Sequence, residues 1–140
     1  METVLASGPP DVLEDSFRAA TNEDWTRDWQ IQNGDDIVPI QAGWKLYMQL
    51  QDTVTGDIAV MCSTENGRLA VIDRDAGKFG LRVKQADAGQ VPPSSYDYDI
   101  VLVAGDGIYR LVVGNIGVDA GITVVPGQEK WTHFPLIQRP

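Results

Sequence analysis

Cysteine and histidine are nearly absent from this chain: Cys62 and His133 are the only representatives in 140 residues. A single cysteine cannot form an internal disulfide. That argues against a small secreted domain held by such bridges and for a reducing compartment. One histidine and one distant cysteine leave no zinc spacing and no cysteine–histidine dyad in the linear pattern. Cys62 ends the apolar run Ile58-Ala59-Val60-Met61-Cys62, where a buried, inert thiol is expected rather than a nucleophile. No Gly-x-Ser-x-Gly elbow is present, and His133 in a proline-bounded tail reads as a surface or interface residue. Basic residues are also scarce, eleven against twenty acidic, for a net charge of −9 and a pI near 4.3. Nucleic acid and anionic membranes both require clustered Lys and Arg, so neither is an expected partner, and the acidity reads as a solubility device. No apolar run has the length of a membrane-spanning helix. The start Met1-Glu2-Thr3-Val4-Leu5 lacks the basic residues and apolar stretch of a secretory signal. The chain is therefore expected to be made, and to stay, in the cytoplasm of the producing cell unless another route releases it.

What is present is the grammar of a β-protein. The length allows one domain and one core. Fourteen glycines and eight prolines suit short strands joined by tight turns. Trp25, Arg27, Trp29 and Ile31 share one side in a period of two, a strand imperfect only at Arg27, and Asn33-Gly34-Asp35-Asp36 turns the chain. Trp44, Leu46, Met48 and Leu50 then face one way while Lys45, Tyr47, Gln49 and Gln51 face the other. Further strands are expected over 58–63, 69–73 and 79–83, with Asn66-Gly67 as a tight hairpin between the first two. Residues 85–93 fit a crossover between sheets. A long strand over 95–104 puts Tyr96, Tyr98, Ile100 and Leu102 on one face and Asp97 and Asp99 on the other. A last strand over 108–118 aligns Tyr109, Leu111 and Val113, with Gly114 and Gly117 suggesting a bulge or a close neighbour. Seven strands at short, regular spacing are the signature of an all-β, immunoglobulin-like antiparallel sandwich over residues 22–122.

Two arms flank it. Residues 1–21 form an N-terminal arm in which Asp11 caps a possible short helix through Ala20, with Val12, Leu13, Phe17 and Ala20 near helical spacing. Residues 123–140 form an extended C-terminal arm carrying Trp131, Phe134, Leu136 and Ile137 between prolines. That arm either folds over an open end of its own domain or reaches a neighbouring subunit with Trp131 and Phe134 as anchors.

Candidate chemistry is thin. The glycines of Gly105-Asp106-Gly107 and Gly114-Asn115-Ile116-Gly117 lie in turns and bulges rather than at a strand-to-helix phosphate cradle. Asp97 with Asp99, and Asp35 with Asp36, are carboxylate pairs of the kind that bind calcium or serve glycoside hydrolysis. In so acidic a chain they read as solvated faces, and the check on a small-hydrolase reading is whether Asp97 and Asp99 share a concave pocket. The four tryptophans with Tyr47 suggest a sugar-stacking platform, but Trp29 and Trp44 alternate with core residues. Tyr47 faces outward and is the better contact candidate. No catalytic residue, cofactor or metal is assigned.

The order of features from Asn22 to Ile122 resembles a known family. Asn22-Glu23-Asp24-Trp25 opens it, followed by the Pro-Ile step in Asp36-Ile37-Val38-Pro39-Ile40. The alternating strand Trp44-Lys45-Leu46-Tyr47-Met48-Gln49-Leu50 and the paired strand Arg68-Leu69-Ala70-Val71 come next. Tyr96-Asp97-Tyr98-Asp99-Ile100-Val101-Leu102 is followed by Gly-Asp-Gly and by Val113-Gly114-Asn115-Ile116-Gly117-Val118. This set is similar to the immunoglobulin-like N-terminal domain of tailed-bacteriophage baseplate upper proteins and related small tail proteins. The resemblance covers the core but neither arm, and it carries no catalytic residues over. It implies a structural virion protein that attaches a fibre or receptor-binding protein to tail or baseplate. Because the chain ends soon after the domain, without a coiled coil or receptor-binding head, an adaptor or accessory subunit is expected. Its partners would be other phage structural proteins and further copies of itself in a symmetric homo-oligomer. Phe17, Tyr47, Trp131, Phe134, Leu136 and Ile137 are the expected contact residues. A capsid decoration protein and a glycan-binding module at the host surface are the alternatives.

Overall fold

Alternating side chains need two sheets to bury one face each, and the computed structural model shows how this chain supplies them. It describes residues 9–105 and 107–126. In chain order the elements are β1 (Leu13–Glu14), β2 (Phe17–Ala20), β3 (Trp25–Gln30), β4 (Gln32–Asn33), β5 (Asp36–Ile37), β6 (Lys45–Asp52), β7 (Ile58–Ser63), β8 (Leu69–Asp73), β9 (Lys78–Val83), the single turn α1 (Gln85–Ala88), β10 (Ser94–Ala104) and β11 (Gly107–Asp119). The large sheet has the order β1-β11-β10-β6-β7, with β2 also paired to β11; β3-β9-β8 form the second sheet and β4-β5 a small ribbon. Every pairing is antiparallel except those of β1 and β2, which run parallel to β11. This is an immunoglobulin-like β-sandwich, and all seven expected strands are in it.

The core lies between the sheets. Leu46, Met48 and Leu50 of β6, Tyr96, Tyr98, Ile100 and Leu102 of β10, and Trp25 and Trp29 of β3 meet Phe79, Leu81 and Val83 of β9. Trp29 stacks obliquely on Phe79 at 5.5 Å and reaches Tyr98 of the opposite sheet at 6.5 Å. At the start of β10 the Tyr96 hydroxyl donates to the Pro92 carbonyl at 2.5 Å, the tyrosine corner of this architecture. The chain crosses between sheets over 84–93, as expected, through α1.

Two local expectations are corrected and one is narrowed. Residues 11–20 form no helix. Phe17–Ala20 pair in register with Ile116–Asp119, because a ladder along β11 satisfies backbone groups that an isolated ten-residue helix cannot stabilise in water. Residues 9–21 of the expected N-terminal arm thus lie along the domain. Asn66-Gly67 makes no hairpin: β7 pairs with β6 and β8 with β9, so this segment crosses between sheets. Of the two expectations for Gly114 and Gly117, a bulge or a close neighbour, the second holds, since they lie against the Asp15 carbonyl and the Arg18 guanidinium, and the bulge in β11 falls at Leu111. Ile100 pairs with Val112 and Val101 with Arg110, which leaves Leu111 unmatched. Beyond it the phase reverses, so Val113 joins the outer face instead of aligning with Leu111.

Candidate contact surfaces

The sandwich is closed on one side by Asp15, which lies between β1 and β2. Its carboxylate accepts two bonds from the Arg27 guanidinium, at 2.7 and 2.6 Å, and one from Trp29 Nε1 at 2.8 Å. Its backbone N–H donates to the Val113 carbonyl at 2.9 Å, and its carbonyl accepts the Tyr98 hydroxyl at 2.5 Å. One residue therefore touches β3, β10 and β11. The Arg27 hydrogen bonds hold the Asp15 carboxyl below its usual range against the opposing effect of burial, and burial pushes the Tyr98 hydroxyl up. Arg27 also lies 4.4 Å from the centroid of the Phe17 ring. The one polar residue in the core-facing row of β3 is thus matched from the N-terminal segment. Phe17 itself contacts Tyr98 edge-on at 5.9 Å, so its ring is engaged by its own domain.

Beside this latch, no strand among the described residues pairs with the outer edge of β3. Ile31 donates to Gly77, and the alternation of antiparallel pairing then turns the backbone groups of Thr26, Asp28 and Gln30 away from β9. A groove of about 830 Å³ runs along them, walled by Val12, Leu13, Asp15 and Arg27. Val12 and Leu13 are about half exposed, at 52% and 48%. The β7 edge is blunted. The Asn66 amide imitates a neighbouring strand, donating to the Met61 carbonyl at 3.0 Å and accepting from the Ser63 N–H at 3.0 Å. Arg68 adds a second bond to Met61 at 3.1 Å.

The outer face of the large sheet is mixed. Tyr47 is half-buried there, its hydroxyl donating to Glu65 at 3.0 Å, while Lys45 pairs with the same carboxylate at 2.9 Å. Next to it is a concavity of about 350 Å³ lined by Gln49, Gln51, Ile58, Asp97, Asp99, Arg110 and Val113. Asp97 and Asp99 therefore do share a concave pocket. The Leu111 bulge shapes this floor. Arg110 and Val113, three apart in sequence, face outward together only because the phase changes between them. Sequence reasoning named Asp97 and Asp99 but missed Gln49 and Arg110, whose proximity depends on register.

Cys62 is fully buried, and desolvation pushes its thiol up to about 12. No group of three or more His, Cys, Asp or Glu placed to hold a metal occurs among the described residues. Trp131, Phe134, Leu136 and Ile137 lie outside the described residues. The described start of the expected C-terminal arm, 123–126, meets its own domain: Asn22 Nδ2 donates to the Thr123 carbonyl at 2.9 Å.

No protein-family model matches the chain, and no curated protein sequence matches it. Among solved structures it is similar to CopC from Methylosinus trichosporium OB3b, at 12% identity over 79% of this chain and 89% of that one, with a TM-score of 0.47. It is also similar to a family 123 glycoside hydrolase from Clostridium perfringens, at 10% identity over 83% of this chain, with a TM-score of 0.53. The chain spans 24% of that hydrolase's length, and at this identity the likeness concerns the sandwich fold alone.

Proposed function

We propose that this domain is a non-catalytic structural protein of a tailed-bacteriophage virion, an adaptor or accessory subunit of the tail, baseplate or fibre attachment region. The observation that carries the reading is the β3 edge and its groove, where the backbone groups of Thr26, Asp28 and Gln30 turn away from β9 beside the apolar Val12 and Leu13 and have no strand partner among the described residues. Such an edge takes up an extended segment from a neighbour by strand addition. The C-terminal arm, with Trp131, Phe134, Leu136 and Ile137, is the segment this chain brings to an adjacent copy or to another virion protein. The charge of −9 keeps the free subunits apart before assembly. The resemblance of residues 22–122 to baseplate upper domains supplies the setting.

The test is antibody-labelled electron microscopy of particles from producing cells, with full-length protein and a chain truncated after Pro126. The cut is placed there because Thr123 is bonded to Asn22. Label at the tail or baseplate, lost on truncation, is the expected result. Label around the capsid moves the subunit to head decoration. Full incorporation of the truncated chain removes the arm from the argument, and absence of the protein from particles overturns the virion reading.

A further inference from the structure

We propose that the concavity on the outer face of the large sheet binds an uncharged saccharide through Gln49, Gln51, Asp99 and Arg110. This site is separate from the β3 edge and does not depend on the assembly reading.

Three observations meet there. First, the polar groups are unspent. Among the described residues the side chains of Gln49, Asp99 and Arg110 make no hydrogen bond or ion pair, and Gln51 uses only its Nε2, donating to the Gly56 carbonyl at 3.0 Å. Arg110 and Asp99 line one concavity without neutralising each other. Second, Ile58 on β7 and Val113 on β11 supply apolar surface at its two sides. A sugar ring presents hydroxyls at its rim and C–H groups on its face, and this lining offers acceptors, donors and apolar surface together. Third, the Leu111 bulge re-aims Arg110 onto the same face as Val113. Bulges recur where a side chain must be redirected at a site.

The charge pattern selects the ligand. Asp97 and Asp99 disfavour an anion, whereas a neutral polyhydroxyl ligand donates to these carboxylates and accepts from Arg110. The volume of about 350 Å³ lies in the range of small-ligand clefts, about 300–1,000 Å³. Hydrolysis is not the chemistry expected. Asp97 and Asp99 stand two apart on one strand and lie on the same side of anything resting on the sheet. Glycosidases flank the scissile bond with their carboxyls.

The experiment is a titration of the full chain, labelled with nitrogen-15, with maltohexaose, cellohexaose, laminarihexaose and N-acetylchitohexaose, with trigalacturonate as the anionic comparison. At least one neutral oligosaccharide is expected to shift the amides of Gln49, Gln51, Asp99, Arg110 and Val113 saturably. Asp99→Ala and Arg110→Ala are each expected to weaken binding by about tenfold while leaving the rest of the spectrum in place. No saturable shift with any neutral probe overturns the proposal, as do shifts confined to another face, unchanged affinity in both variants, or preference for trigalacturonate. Virion incorporation is measured separately, so the two readings fail independently.

Discussion

Gly114→Ala tests whether the Asp15 latch holds the sandwich shut. A Cβ added at Gly114 overlaps the Asp15 carbonyl oxygen and comes within 2.7 Å of its carbonyl carbon and 3.0 Å of Tyr98 Cε1. These neighbours are backbone and an aromatic ring already bonded to it, so neither can rotate aside. The latch must lift. Overpacking of this kind costs about 1–3 kcal/mol, and each strained hydrogen bond about 0.5–1.5 kcal/mol net. The bonds at risk are Asp15 N–H to Val113, Tyr98 to the Asp15 carbonyl, and Arg27 and Trp29 to its carboxylate. Because one displacement strains them all, the losses overlap rather than add, and about 2–4 kcal/mol is expected. At about 4 °C per kcal/mol for a domain of this size, Tm falls by about 8–16 °C. Thermal unfolding followed by circular dichroism reads this directly. Gly105→Ala, where an added Cβ meets nothing within 4 Å, is the control and should stay within about 2 °C of the parent. In the Gly114→Ala background, Asp15→Ala should add little, since the contacts it removes are already lost. A Tm for Gly114→Ala close to the parent, or full additivity with Asp15→Ala, refutes the latch.

Acid should loosen the same contact. The folded Asp15 carboxyl lies below its ordinary value of 3.8 because of the Arg27 hydrogen bonds, so its contribution is present above that value and is lost as pH falls through the depressed one. Urea midpoints should drop as pH falls from about 4 toward 2, more steeply in the parent than in Asp15→Asn; equal slopes would count against it. Cys62, buried with its thiol raised to about 12, should resist a disulfide-exchange reagent in the native protein at neutral pH and react once when unfolded; fast native labelling would contradict the burial. Asn66→Ala frees the Ser63 N–H at the β7 edge and leaves the Met61 carbonyl to Arg68 alone. Light scattering on a sizing column should show new self-association, and a strictly unchanged mass would mean that Arg68 closes the edge alone.

The sandwich was legible because burial in a sheet leaves a period of two, and the seven main strands carry it plainly in Leu46-Met48-Leu50 or Tyr96-Tyr98-Ile100-Leu102. Where reading failed, the deciding contact was distant in the chain. Residues 17–20 are too few to show a period, and their ladder partner begins about a hundred positions later, at Ile116. Arg27 stood out as an irregularity in a core-facing row, and its explanation, Asp15, belongs to the segment misread as helix. Crossing at Asn66-Gly67 differs from a hairpin only in which sheet accepts the next strand, a tertiary choice that turn residues do not encode.

The candidate site was legible in the same partial way. Asp97 and Asp99 were visible as an outward pair, but Gln49 reaches them only through the pairing of β6 with β10, and Arg110 only through the slip at Leu111. That slip links the two halves of the molecule. On its inner side, β11 receives the latch at Gly114 and through the Val113 carbonyl; on its outer side, Val113 and Arg110 wall the concavity. An unbulged β11 would set Arg110 and Val113 on opposite faces, so the hydrophobic phase that seats Ile116 and Val118 in the core requires the irregularity that displays Arg110. One unmatched residue thus lets a single strand serve the closure of the core and the outer surface.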